Sequence, residues 1–83
     1  MERKFEEMKV EEQYSDCTLY LNEEKARRVT VSECNQAIGR RQMYNVRVIT
    51  VDPATGRAVD GETVATRCTH DQAMRIAREH YFK

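Results

Sequence analysis

Met43-Tyr44-Asn45-Val46-Arg47-Val48-Ile49-Thr50-Val51, followed by Asp52-Pro53-Ala54-Thr55-Gly56, is the stretch that decides the fold. The first run is rich in β-branched and aromatic residues, which suit a pleated, half-buried strand. The second is a turn: Asp opens it, Pro presets φ, and Gly stands where φ turns positive. The chain therefore reverses, and Arg57 to Cys68 is predicted to return as the antiparallel partner. The Asp60-Gly61 pair inside that partner marks either a second tight turn or a bulge.

Immediately downstream, Thr69-His70-Asp71-Gln72 has the form of a capping box. The Thr69 hydroxyl accepts the Gln72 amide proton while the Gln72 side chain reaches back to the Thr69 amide. Asp71 places a negative charge where the helix dipole favours it. Ala73, Ile76, Ala77, His80 and Tyr81 then recur at helical spacing, with Met74 at the margin and Gln72, Arg75, Arg78 and Glu79 on the wet side. The spacing predicts a helix over residues 70–81, so 43–81 form a strand-turn-strand-helix unit.

Upstream, Cys17 to Leu21 reads as a strand, and two continuations stay open. In one, a turn at Asn22 to Lys25 leads into a strand from Ala26 to Val31, then a short helix capped by Ser32 and ended by Gly39. In the other, one helix runs from Glu23 to Ile38. The β-branched run Val29-Thr30-Val31 disfavours the long helix, so the hairpin is preferred. Asn35-Gln36-Ala37-Ile38 echoes Asp71-Gln72-Ala73-Met74, hinting at a duplicated ββα unit. Residues 1–13 are acidic and poor in apolar side chains: a short helix, an edge strand or a partly ordered arm. The expected fold class is α+β, one domain over 1–83. A small antiparallel sheet of three to four strands is packed by a C-terminal helix (about 70–81) and a shorter helix ending near Gly39.

Composition narrows the function. A chain of 83 residues buries only about 60–65% of the surface it exposes when unfolded, which leaves little scaffold for an enclosed cleft. No apolar run approaches the roughly 20 residues needed to cross a bilayer. The start, Met1-Glu2-Arg3-Lys4-Phe5, lacks the apolar core of a secretory signal. Three cysteines, Cys17, Cys34 and Cys68, are an odd and widely spaced set, unlike a secreted disulfide framework. A cytoplasmic location is the expectation.

The net charge of zero hides a split. Residues 1–24 hold eight acids against three bases, and residues 25–83 hold eleven bases against six acids. Such asymmetry points to an anionic partner for the basic part. Arginine outnumbers lysine ten to four, and its planar fork suits carboxylates and phosphates.

Motifs for chemistry are missing. Cys34 and Cys68 with His70 or His80 lack the paired base and orienting carboxylate that thiol catalysis needs. Cys68-Thr69-His70 is the only close pair of metal-binding types, short of a zinc set. The glycines stand singly at 39, 56 and 61, which removes the phosphate-binding loops. No enzyme, metal or cofactor is expected. What remains is a surface, with Arg40, Arg41, Arg47, Arg57, Arg75 and Arg78 as contact candidates.

Tyr44-Asn45-Val46-Arg47, then Asp52-Pro53-Ala54-Thr55-Gly56-Arg57, then Thr69 and Gln72-Ala73 opening a helix, resembles the AP2-like DNA-binding module at the front of phage and transposon integrases. The resemblance covers residues 43–81 and implies a hairpin-plus-helix fold that binds DNA. The chain departs from that pattern at Ala58-Val59-Asp60-Gly61-Glu62-Thr63, which is acidic where those modules are basic. The leading expectation is a non-catalytic inhibitor or adaptor of the phage or mobile-element kind, in the style of anti-CRISPR proteins. Its partner would be a host protein or ribonucleoprotein complex. Nucleic acid is the alternative partner, no membrane is involved, and a homodimer through an open sheet edge is a further state.

Overall fold

The computed structural model describes residues 7–34 and 41–83. Five strands, β1 (Val10–Tyr14), β2 (Cys17–Asn22), β3 (Arg27–Glu33), β4 (Tyr44–Val51) and β5 (Ala58–Cys68), precede one helix, α1 (His70–Phe82). The strands form a single antiparallel meander in the order β1-β2-β3-β4-β5. The expected α+β class and C-terminal helix are present, and the sheet is larger than expected, with five strands instead of three to four.

The decisive stretch behaves as its residues dictate. Asp52 Oδ1 accepts the Ala54 amide at 2.9 Å, the Gly56 amide donates to the Asp52 carbonyl at 2.6 Å, and Gly56 takes φ +76°. The Thr69 cap closes reciprocally: Gln72 N–H donates to Thr69 Oγ1 at 3.2 Å, and Thr69 N–H to Gln72 Oε1 at 3.1 Å.

The upstream hairpin is also formed. Asn22 pairs with Arg27 across a four-residue loop in which Ala26 turns the chain with φ +52°. Ser32 is not a helix cap. It lies inside β3 opposite Cys17, because the β-branched run carries the strand on to Glu33. α1 is the one helix among the described residues. The expected shorter helix ending near Gly39, with the Asn35-Gln36-Ala37-Ile38 echo, falls on residues 35–40, outside the described residues. Of the readings for residues 1–13, the edge strand holds for Val10–Tyr14, which pairs with β2. Asp60-Gly61 makes no turn: the two residues pair regularly with Thr50 and Ile49, and the register shifts beside them, between Thr50 and Val51.

α1 lies on one face of the sheet. Val29, Val31 and Val46 meet Ala73, Ala77 and Tyr81 there, with Cys68 at the helix start. Val29 and Val46 are fully buried. The smallest dimension of the molecule is 21 Å, enough for one sheet and one helix at about 10 Å spacing. No described element covers the other face of the sheet.

The far end of α1 is fastened by β2 and β3. Asn22 Nδ2 donates to the Tyr81 carbonyl at 2.7 Å, and the Tyr81 hydroxyl donates to the Leu21 carbonyl at 2.9 Å. That hydroxyl also accepts the Lys9 amide at 3.0 Å. Arg27 Nη1 donates to the carbonyls of His80 and Lys83. These partners satisfy carbonyls that a helix C-terminus leaves open.

Candidate interaction face

Strand alternation sorts the side chains into two sets. Val29, Val31, Val46 and Val48 belong to the helix side. Arg28, Thr30, Arg47 and Ile49 therefore belong to the uncovered side, where Arg28 pairs with Ile49 and Thr30 with Arg47. Leu19 and Leu21 extend this face on β2, opposite Thr30 and Arg28. Gly61 and Thr63 extend it on β5, opposite Ile49 and Arg47. The centre is half-buried aliphatic (Leu19, Leu21, Ile49), and hydroxyls and two arginines stand beside it.

Arg27 and Arg28, adjacent in sequence, serve opposite faces. Arg27 binds the end of α1. Arg28 reaches across the open face to β1, where its Nε donates to Glu11 Oε1 at 2.7 Å and its Nη2 to Glu11 Oε2 at 3.1 Å. This fork-to-fork contact raises the Arg28 pKa further above its ordinary value. Arg47 makes no ion pair among the described residues. Its guanidinium lies across β5 at Gly61, where an added Cβ would meet Nη2 at 3.0 Å and Nε at 3.2 Å. The missing side chain of Gly61 is what lets the arginine lie there.

The contact candidates do not converge. Arg47 is on the open face, whereas Arg57 is exposed beside the β4–β5 turn, its N–H donating to Thr55 Oγ1 at 3.3 Å. Arg41 is exposed ahead of β4. Arg75 and Arg78 are exposed on α1, on the other side of the sheet, and Arg78 stacks over the Phe82 ring at 5.1 Å. Arg40 lies outside the described residues. The set omitted Arg28, which strand parity would have revealed once Asn22 was registered against Arg27. Asp60 and Glu62 pair with Thr50 and Val48, on the helix side. The acids of the returning strand are thus off the face that carries Arg28 and Arg47.

A hollow of about 270 Å³ lies at the end of α1 between Asn22, Lys25, Tyr81 and Phe82, and two smaller ones lie beside the sheet. One, of about 170 Å³, lies beside the start of α1 between Tyr20, Glu33, Tyr44, His70 and Met74, with the His70 and Tyr44 rings edge-on at 5.1 Å. The other, also about 170 Å³, is mostly apolar, lined by Leu21, Ala26, Val51 and Pro53 with Glu23 and Asp52 at its edge. Among the described residues, no group of three or more His, Cys, Asp or Glu side chains is placed to hold a metal ion. All three cysteines are free. Cys68 packs with Ala73 in the core, and Cys17 is half-buried at the rim of the first hollow. Burial first, then the Asp16 carboxylate, pushes the Cys17 thiol above its ordinary value of 9.0. Among the described residues, no helix is long and apolar enough to cross a membrane. Compared with known proteins, the chain matches no protein-family model, no curated protein and no solved structure.

Proposed function

We propose that this chain is a non-catalytic binding protein that acts through the uncovered face of its sheet. The observation that carries the reading is the pairing of an aliphatic centre (Leu19, Leu21, Ile49) with Arg28 and Arg47 on a face no described element covers. A protein interface has this anatomy: an apolar middle, few charges at its core, and arginine enriched over lysine. Within that reading the chain is a small inhibitor or adaptor of the phage or mobile-element kind, docking on a larger host complex. The split charge and the arginine excess support that narrower form. The test is capture by the tagged chain from host lysate, followed by reconstitution of the complex from purified components. Recovery of nothing above background contradicts the proposal.

One observation favours a second reading, a DNA-binding module similar to the AP2-like domains. β3-β4-β5-α1 is a three-stranded antiparallel unit followed by a helix, and its open face holds Arg28 and Arg47 with the β5 acids on the other side. A gel shift over a salt series separates the two readings. Duplex binding through phosphates steepens log K against log salt by about 0.9 per contact, whereas a chain that shifts no duplex at low salt is not a DNA binder.

A further inference from the structure

β5 is an edge strand of 11 residues, and among the described residues no strand pairs with its outer side. Such an edge presents unpaired backbone groups, and natural proteins usually blunt it with lysine, proline or a cover. The exposed segment Ala58 to Thr63 contains neither lysine nor proline. Its protection is of other kinds: Asp60 and Glu62 put charges on it, the register shifts beside Val59, and Asp60 Oδ1 accepts the Gly61 amide at 2.9 Å. A carboxylate of the chain's own thus satisfies an edge N–H. Beside it, the Arg47 guanidinium lies over Gly61 without an ion-pair partner among the described residues. The two faces of this edge are opposite in charge, with Arg47 on the open side and Asp60 and Glu62 on the helix side.

We infer that the β5 edge around Gly61 is a strand-addition site for an extended segment of a partner protein, with an acidic side chain of that segment pairing with Arg47. The inference rests on the binding reading above and gives its partner a chemistry. Backbone pairing along β5 supplies affinity, with a carbonyl of the incoming segment taking the Gly61 amide in place of Asp60 Oδ1, and alternate side chains supply specificity. The segment carries its acids on alternate residues, all on the Arg47 side, because Asp60 and Glu62 repel acids on the other. The Glu11 carboxylate already seated on Arg28 shows the same recognition within the chain. A second copy of this chain fits poorly. Two β5 edges paired antiparallel about Gly61 would set Asp60 of one copy beside Glu62 of the other, and like charges directly opposite destabilise a strand pair.

The experiment uses the full chain, labelled with ¹⁵N, and two blocked synthetic peptides. One alternates threonine with glutamate, the other threonine with glutamine. The expected result is saturable binding of the glutamate peptide, with amide shifts centred on Val59, Gly61 and Thr63. Arg47→Gln is expected to weaken it about tenfold, as loss of a charge-assisted hydrogen bond does, and the glutamine peptide to bind about as weakly to the unaltered chain. Asp60→Asn is expected not to weaken it. Equal affinity for the two peptides, shifts that map away from β5, or no saturation at millimolar peptide overturns the inference. So does a concentration-dependent dimer whose interface maps to β5. If the peptides fail while lysate capture still depends on Arg28 and Arg47, the edge site falls and the open-face reading stands. If capture fails as well, both fall.

Discussion

Asn22 and Tyr81, 59 residues apart, hold one end of the molecule by crossed hydrogen bonds. Asn22 Nδ2 donates to the Tyr81 carbonyl, while the Tyr81 hydroxyl donates to the carbonyl of Leu21, next to Asn22. Both residues are buried, so each bond lost leaves a desolvated polar group behind. The contact ties the last turn of α1 to β2, on the sheet face that Val29, Val31 and Val46 line.

Tyr81→Phe removes one donor and strands the Leu21 carbonyl and the Lys9 amide, costing about 1–2 kcal/mol. For a chain of this size that lowers Tm by roughly 4–8 °C per kcal/mol. Asn22→Ala costs a similar amount. The double variant loses less than the two added together, because both release the same helix end. Thermal melts of the three proteins check this, and full additivity would show that the two bonds act independently.

Thr69→Ala removes the helix cap and costs about 1 kcal/mol, whereas Thr69→Ser retains most of it. Urea denaturation reads the difference as a shift in midpoint. Equal midpoints for the two variants would show that the cap is not carrying stability.

Val46→Ala empties volume in the fully buried centre of the sheet and costs about 2 kcal/mol or more once the cavity is included. Val59 is 63% exposed, and Val59→Ala stays within about 0.5 kcal/mol. The same denaturation series compares them.

The raised Cys17 thiol has a pH signature. A group whose folded pKa lies above its unfolded one holds its proton longer when folded. Its contribution is complete below the unfolded thiol range and is lost as pH rises through the folded value. Stability is expected to decline above about pH 9, and Cys17→Ser flattens the decline. Tyr20, raised chiefly by burial, extends the loss to higher pH. In parallel, alkylation of Cys17 at pH 8.5 runs slower than that of an exposed cysteine, because less thiolate is present. Asp16→Asn speeds it.

Local chemistry made the second half of the fold legible. The Asp52 turn and the Thr69 cap are specified by residues that bond within a few positions of themselves, so their roles show in sequence. β1 was hidden because Val10-Glu11-Glu12-Gln13-Tyr14 is exposed throughout and has no apolar alternation to announce a strand. Ser32 misled because a hydroxyl suits a cap as well as a strand, and the pairing with Cys17 that decides between them comes from residues far upstream. The face was legible only in part. Arg47 stood out as a strand arginine, but its position over Gly61, the Glu11 contact of Arg28 and the helix-capping role of Arg27 all depend on cross-strand register. Arg75 and Arg78 fell into the same candidate set because a sequence lists charges without their side of the sheet.

The most direct measurement compares partner capture by the unaltered chain, by Arg28→Glu/Arg47→Glu and by Arg75→Glu/Arg78→Glu, with folding of each matched by thermal melts. Loss of capture with the open-face pair, and retention with the helix pair, is the expected result. Undiminished capture by the open-face variant, or loss confined to the helix variant, would contradict the assignment of that face.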